Sequence, residues 1–171
     1  MIFALLLLGW TTVQRLGELV VASRNTAALK ARGGVEAGAS HYPVMVAMHA
    51  AWLAGLWLLA WDRPVNWQVN WPWAAAFAVG QALRFWTLCV LGRRWTTRII
   101  VVPGETLVHA GPYRFLSHPN YVAVSIEIAA LPLAFGLVAY AIVFSLLNLA
   151  MLWVRIREEN RALTGAASRA G

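Results

Sequence analysis

Charge is scarce in this chain. Only 12% of its 171 residues are charged, while 60% are hydrophobic. A soluble domain carries about 25% charged residues. The shortage excludes a disordered chain, an ordinary cytosolic enzyme and a coiled coil rich in Glu and Lys. Lysine is nearly absent: Lys30 stands alone among 14 basic residues. Cysteine is limited to Cys89, which excludes an intramolecular disulfide and a Cys-x-x-Cys motif. Within an apolar run Cys89 reads as a small buried side chain. Soluble-enzyme signatures are missing too. There is no Gly-x-Gly-x-x-Gly, no His-Glu-x-x-His and no Ser-His-Asp signature. Gly33 and Gly38 have P-loop spacing, but Ala39 stands where the lysine belongs. The four histidines, His41, His49, His109 and His118, lack zinc-site spacing, so no metal site is expected.

What is present is long apolar sequence. A helix needs about 20 mostly apolar residues to cross a bilayer. The pattern predicts an all-α integral membrane protein with five transmembrane helices over 2–22, 44–61, 73–91, 120–131 and 133–154. The last two form a tight hairpin broken at Pro132, with Gly136 nearby. The first segment resembles a signal-peptide core, but no basic region precedes Phe3 and no small-x-small site follows. It reads as a retained span. Ala47, Ala51 and Gly55 form a small-residue stripe on the second span, favouring helix packing within the chain over dimerisation. Monomer and homo-oligomer both remain open.

The net charge of +7 fits topology better than nucleic-acid binding. Basic residues gather after the first span (Arg24, Lys30, Arg32), after the third (Arg93, Arg94, Arg98, Arg114) and in the tail (Arg155, Arg157, Arg161, Arg169). The connection after the second span has only Asp62 and Arg63. Alternation of this kind places the N-terminus outside and the C-terminus in the cytosol of a multi-pass protein. Trp57, Trp61, Trp67, Trp71 and Trp73 look like an interfacial belt on the outer side.

The chemistry lies in two polar stretches. In 92–121, the β-rich segments 98–102 and 106–109 flank Pro103-Gly104 and predict a short hairpin. Gly111-Pro112 marks a turn. Pro119 opens a helix after an extended His118. A polar loop thus feeds a helix N-terminus suited to an anion. The second stretch, Arg155-Ile-Arg-Glu158-Glu159, closes the last span. Asn148, Arg155 and Glu159 share one helical face, and a charge-paired helix end is the competing reading.

The string Gly-Pro-Tyr-Arg-x-x-Ser-His-Pro-Asn-Tyr, then a membrane hairpin, then Arg-x-Arg-Glu-Glu resembles the isoprenylcysteine carboxyl methyltransferase family. The resemblance is firmest over 91–163. The stretches from Val13 and from Gly34 to Tyr42 are similar to a short bacterial branch associated with O-methylation of alkylpyrones and alkylresorcinols. The resemblance implies one methyltransferase domain over 1–171, with a cofactor region over 92–163. It implies S-adenosylmethionine as methyl donor, bound between the cytosolic loop, the hairpin helices and the C-terminal segment. By motif position His118, Pro119 and Tyr121 would line the cofactor. Glu158 and Glu159 would meet its ribose or amino group, and Arg155 its carboxylate. His109, Tyr113, Arg114 and Asn120 complete the candidate cofactor set. Members usually have Arg before His-Pro; here Ser117 stands there, with Arg114 as the nearby cation.

The acceptor would be lipidic: the carboxylate of a prenylated cysteine-like compound or the hydroxyl of a long-chain polyketide. A carboxylate needs no base, whereas a phenol or enol is helped by one. Candidates are His41, Glu36 and Glu127. Glu127 sits at membrane depth, where an ionisable group is either functional or ion-paired, here with Arg84 or Arg15. Glu36 and His41 lie in a Gly-rich cytosolic loop, either a solvated connection or an acceptor contact. Arg15 and Glu18 read as an i,i+3 pair, and His49 as a helix-packing residue. A membrane reductase using NADPH and a non-enzymatic membrane subunit are the alternatives.

Overall fold

The computed structural model describes residues 2–61 and 69–167. Asp62, Arg63 and Trp67 of the outer connection and Arg169 of the tail lie outside the described residues. Five helices carry the fold: α1 (Ile2–Ala31), α2 (Tyr42–Trp61), α3 (Trp71–Leu91), α4 (Pro119–Ala134) and α5 (Val138–Ala167). α1, α2, α3 and α5 are long and apolar enough to cross a membrane. α4 has 16 residues. At about 1.5 Å per residue it reaches about 24 Å, short of a hydrocarbon core about 30 Å thick.

Two helix ends differ from the hydropathy pattern. α1 runs past the expected end near residue 22 to Ala31. Hydropathy reports where lipid-compatible sequence ends, but residues 23–31 remain good helix formers. The stop comes from Gly33, at φ 83°. There Gly33 N–H donates to the Lys30 carbonyl and Gly34 N–H to that of Leu29, at 3.0 and 2.9 Å. This paired capping satisfies carbonyls that a helix end leaves free. The same motif corrects the expected break at Pro132. Pro132 lies inside α4, and the chain turns at Gly136, with φ 69°. Gly136 N–H donates to Leu133 O and Leu137 N–H to Pro132 O. Proline lacks a donor but keeps its carbonyl, so it can accept the capping bond in a last turn.

The expected hairpin between 98–102 and 106–109 is also corrected. The segment 106–109 forms no strand. Instead β2 (Ile99–Val101) pairs antiparallel with β1 (Val35–Ala37), with Glu36 opposite Ile100. Local turn chemistry suggested a neighbouring partner; tertiary proximity of the α1–α2 and α3–α4 connections supplied a distant one. The sheet marks the end of the bundle where α1 and α3 finish and α2 begins.

The apolar core includes Leu8 of α1, Trp52 and Leu56 of α2, and Ile128, Leu131 and Phe135 around α4. α3 lies close along α4 because Gly80 has no side chain: a Cβ there would meet Ile126 at 3.0 Å. Gly55 faces Tyr140 of α5, whose hydroxyl donates to the Trp52 carbonyl at 2.8 Å. The small-residue stripe thus contributes to packing within the chain. Cys89, expected to be buried, is exposed on α3. In a bundle bathed in lipid, an outward apolar surface carries no hydrophobic penalty, so an apolar run does not by itself mean core.

A buried ionic group joins three helices. Arg84 of α3 donates from Nη2 to Glu127 of α4 at 2.9 Å and from Nη1 to Glu18 of α1 at 3.1 Å. Arg15 bonds both carboxylates, reaching Glu18 at 3.0 Å. Two cations thus meet two anions, and Glu127 is wholly buried. Losing one partner strands a charge, which costs about 3–5 kcal/mol. Arg84→Met is therefore expected to lower stability by about that amount, measured by unfolding in detergent. Arg157→Met, at an exposed site on α5, should change it by no more than about 0.5 kcal/mol.

Candidate functional site

At the sheet end of the bundle lies a cavity of about 730 Å³, bordered by all five helices and by β2. That volume suits an organic ligand of drug-like size. Its polar wall is built by two helix ends. α4 begins at Pro119, whose missing donor costs nothing in a first turn. That start places His118 before the helix and Asn120 and Tyr121 in its first turn. α5 supplies Asn148, Arg155 and Glu159, spaced seven and four residues apart, and all three border the cavity.

These side chains hold one another. The Tyr121 hydroxyl donates to Glu159 Oε2 at 2.6 Å. His118 Nδ1 lies 3.7 Å from the same oxygen, and its ring stacks on Tyr121 with centroids 5.2 Å apart. Arg155, 5% exposed, donates from Nη2 to the Thr97 carbonyl at 3.0 Å and from Nη1 to Met45 Sδ at 3.1 Å. Its guanidinium carbon sits 5.6 Å from the Tyr121 ring centroid. Three polar atoms in this wall are buried without a hydrogen-bond partner among the described residues: Asn120 Oδ1, Asn148 Oδ1 and Arg155 Nε. Buried polar groups are normally paired with protein, water or ligand, so this cluster makes the wall a candidate polar site.

The other sequence-predicted residues divide between this wall and its surroundings. His109 and Tyr113 border the cavity. Burial, with the negative charge of Glu159 adding to it, pushes the Tyr113 phenol up to about 12. Pro119 is buried behind the wall as the start of α4. Arg114 is exposed and does not border the cavity. Glu158 turns away from Glu159 and pairs with Arg161 at 2.8 Å. His41 lies beside Gly38 and Glu158, outside the cavity lining. Glu127 belongs to the ionic group, whose Arg15, Glu18 and Arg84 border the cavity from α1 and α3. Ser117 borders it as well.

Glu36 sits on β1 and accepts from Lys30 at 2.5 Å and from Arg98. The Lys30 hydrogen bond, reinforced by Arg98 against a burial effect of opposite sign, holds its carboxyl below the ordinary value. Sequence reasoning did not foresee Met45 and Thr97 as the partners that hold Arg155. It assigned His49 to helix packing, yet His49 borders the cavity with Tyr42, Met45 and Trp52 on one face of α2. Their spacing of three and four residues was the available signal.

A bundle of long apolar helices with a polar-walled cavity at one end defines a membrane protein with a candidate ligand site. The model of the Isoprenylcysteine carboxyl methyltransferase (ICMT) family matches residues 73–165, which include most of α3, all of α4, most of α5 and the polar wall. The chain belongs to that family of membrane methyltransferases. It is also 41% identical over 161 residues to an uncharacterized protein, YpbQ, of Bacillus subtilis (strain 168), covering 92% of this chain and 95% of the relative. No solved structure matches the chain.

The state of Glu36 gives a pH dependence. Its folded value lies below the unfolded one, so its stabilisation is full above the unfolded value and is lost as pH falls through the folded value. Protection of the β1–β2 amides from hydrogen exchange, corrected for intrinsic rates, should fall as pH drops below about 4. Glu36→Gln should remove that dependence.

Proposed function

We propose that the chain is an S-adenosylmethionine-dependent O-methyltransferase acting on a lipidic acceptor, with one functional unit over 1–171 and its cofactor region over 92–163. The observation that carries this reading is the set of unpartnered buried atoms in the wall, Asn120 Oδ1, Asn148 Oδ1 and Arg155 Nε. Two acceptors and one cationic donor match the amino N–H groups and the carboxylate of the methyl donor. Its fit is tested by these atoms alone: they offer complementary chemistry at one cavity, beside a carboxylate, Glu159, that can accept from ribose hydroxyls.

Arg155 would hold the donor's carboxylate, and Thr97 and Met45 keep its guanidinium in place. Tyr121 and His118 fix Glu159. His109, Tyr113 and Asn120 would close the donor site; Arg114 and Glu158 would act from its rim and Pro119 by shaping the α4 start. When bound, the sulfonium supplies an electrophilic methyl group. The protein's part is alignment and exclusion of water, which can contribute about 7–11 kcal/mol to such displacements.

The lipid route is supported by apolar side chains of α1 and α2 at the cavity edge, among them the exposed Leu16, Leu19 and Val46. The acceptor in this reading is a prenylated cysteine-like carboxylate or a long-chain polyketide hydroxyl. Glu127, His41 and Glu36 are the ionisable groups first considered as bases, and the ion pairs of Glu127 and Glu36 favour structural roles for these two. In this reading the bundle places five helices in the bacterial inner membrane, with α4, too short for a full crossing, and α5 as its last hairpin, the N-terminus outside and the cavity open to the cytosol. A C-terminal reporter active only in the cytosol should therefore be active.

Purified protein should bind S-adenosylmethionine saturably by calorimetry. Arg155→Ala should weaken binding at least about 30-fold, as expected for loss of a buried charge partner. Absence of saturable binding to the unaltered protein would overturn the reading. Membranes given labelled donor and lipid extract should yield a methylated lipid, its mass distinguishing a methyl ester from an ether.

A further inference from the structure

Two side chains on the cavity face of α2 take no part in the proposed donor site. His49 Nδ1 lies 2.8 Å from the Met45 carbonyl oxygen. A carbonyl only accepts, so Nδ1 carries the hydrogen and donates. In the neutral ring Nε2 is then the nitrogen with a free lone pair. Among the described residues no hydrogen bond uses it. One turn further along, Trp52 is 2% exposed and borders the same cavity. Its indole N–H is buried with no acceptor among the described residues. Leaving such a donor unpaired is unfavourable, so an oxygen brought beside it gains a place. A free acceptor and a free donor thus sit at i and i+3 on one helix face.

The charges nearby point the same way. Arg15 and Arg84 border this part of the cavity, and both are already paired with Glu18 and Glu127. Those two cations are neutralised by two anions, and Arg155, the third cation beside His49 through Met45, is committed in the proposed reading to the donor's carboxylate, so no free cation is left for an ionised acceptor. An uncharged hydroxyl, which both donates and accepts, fits the available pair.

We infer that His49 and Trp52 form the acceptor subsite, with the Trp52 N–H donating to the acceptor oxygen and His49 Nε2 taking the proton that oxygen carries. This rests on the methyl-transfer reading. In the step, an oxygen lone pair forms the new O–C bond to the methyl group. The C–S bond breaks and its electron pair stays on sulfur, giving a neutral thioether. The O–H proton passes to Nε2, so the positive charge that leaves sulfur appears on the imidazolium. His49 then releases the proton to water. His49 is a catalytic residue and Trp52 an orienting one.

The test uses the full chain in detergent, with long-chain alkyl phenols of graded acidity and a fatty acid of equal length as probes. His49→Gln should lower kcat at least about 100-fold on the least acidic phenol. The loss should shrink as the phenols become more acidic, because an ionised acceptor needs no base. Imidazole added to His49→Ala should restore part of the rate. Trp52→Phe should raise KM more than it lowers kcat. Without methyl donor, the least acidic phenol should bind more weakly to both His49→Gln and Trp52→Phe, while S-adenosylmethionine affinity stays within about twofold, as an unchanged donor site requires. An equal loss on every phenol, unchanged phenol binding, or faster methylation of the fatty acid that ignores His49 would overturn the subsite. Failure of the unaltered protein to bind S-adenosylmethionine would instead overturn the methyl-transfer reading itself.

Discussion

The bundle depends on the mutual neutralisation of Arg15, Glu18, Arg84 and Glu127. Each of these charges would be costly in a lipid-embedded helix. Arg84 bonds carboxylates on two other helices, and Arg15 contacts both carboxylates as well. The polar pair within α1, unfavourable for an isolated span, is what couples it to α3 and α4. Apolar packing alone gives little selectivity between helices in lipid, because lipid tails are as apolar as leucine. The ionic group supplies that selectivity. It also leaves Arg15, Glu18 and Arg84 at the cavity edge, with the buried Glu127 behind them completing the charge balance.

Around that constraint the two ends of the cavity differ in chemistry. Near the start of α4 the wall is rich in charge and in unpaired polar atoms. Along α2 it offers one phenol, one imidazole, one indole and apolar side chains. The polar wall is held by groups remote in sequence. Met45 comes from α2, Thr97 from the segment before β2, and Arg155 from α5. The α1–α2 connection, which carries Glu36, is tied to the same region through the sheet and Arg98. The wall is therefore a tertiary product, assembled where four chain segments converge.

Much of this was legible in the sequence. Apolar blocks located the long helices, because length and hydropathy are local properties. The spacing of Asn148, Arg155 and Glu159 placed them on one face for the same reason. What was not legible depended on distant partners. The pairing of β1 with β2 spans more than 60 residues, and the local Pro103-Gly104 signal pointed to a nearer hairpin. The turn at Gly136 was displaced from Pro132 because a capping motif is set by backbone hydrogen bonds, whereas the sequence shows only the residue types. Glu158 and Glu159 are adjacent and alike, yet a 100° rotation per residue sends them to different surroundings. His49 looked like packing because a single histidine in an apolar helix gives no sign of which side is empty.

The length of α5 has one more consequence. Its 30 residues reach about 45 Å, against a hydrocarbon core of about 30 Å. A helix that begins in the apolar hairpin must carry its last third past the fatty-acyl region. Glu159 lies on that last third and Arg155 just before it. In the proposed reaction the water-soluble donor and the oily acceptor therefore need never share a solvent. In that reaction the protein would act as a phase-transfer catalyst held at a fixed depth, with the length of one helix setting where the two phases meet.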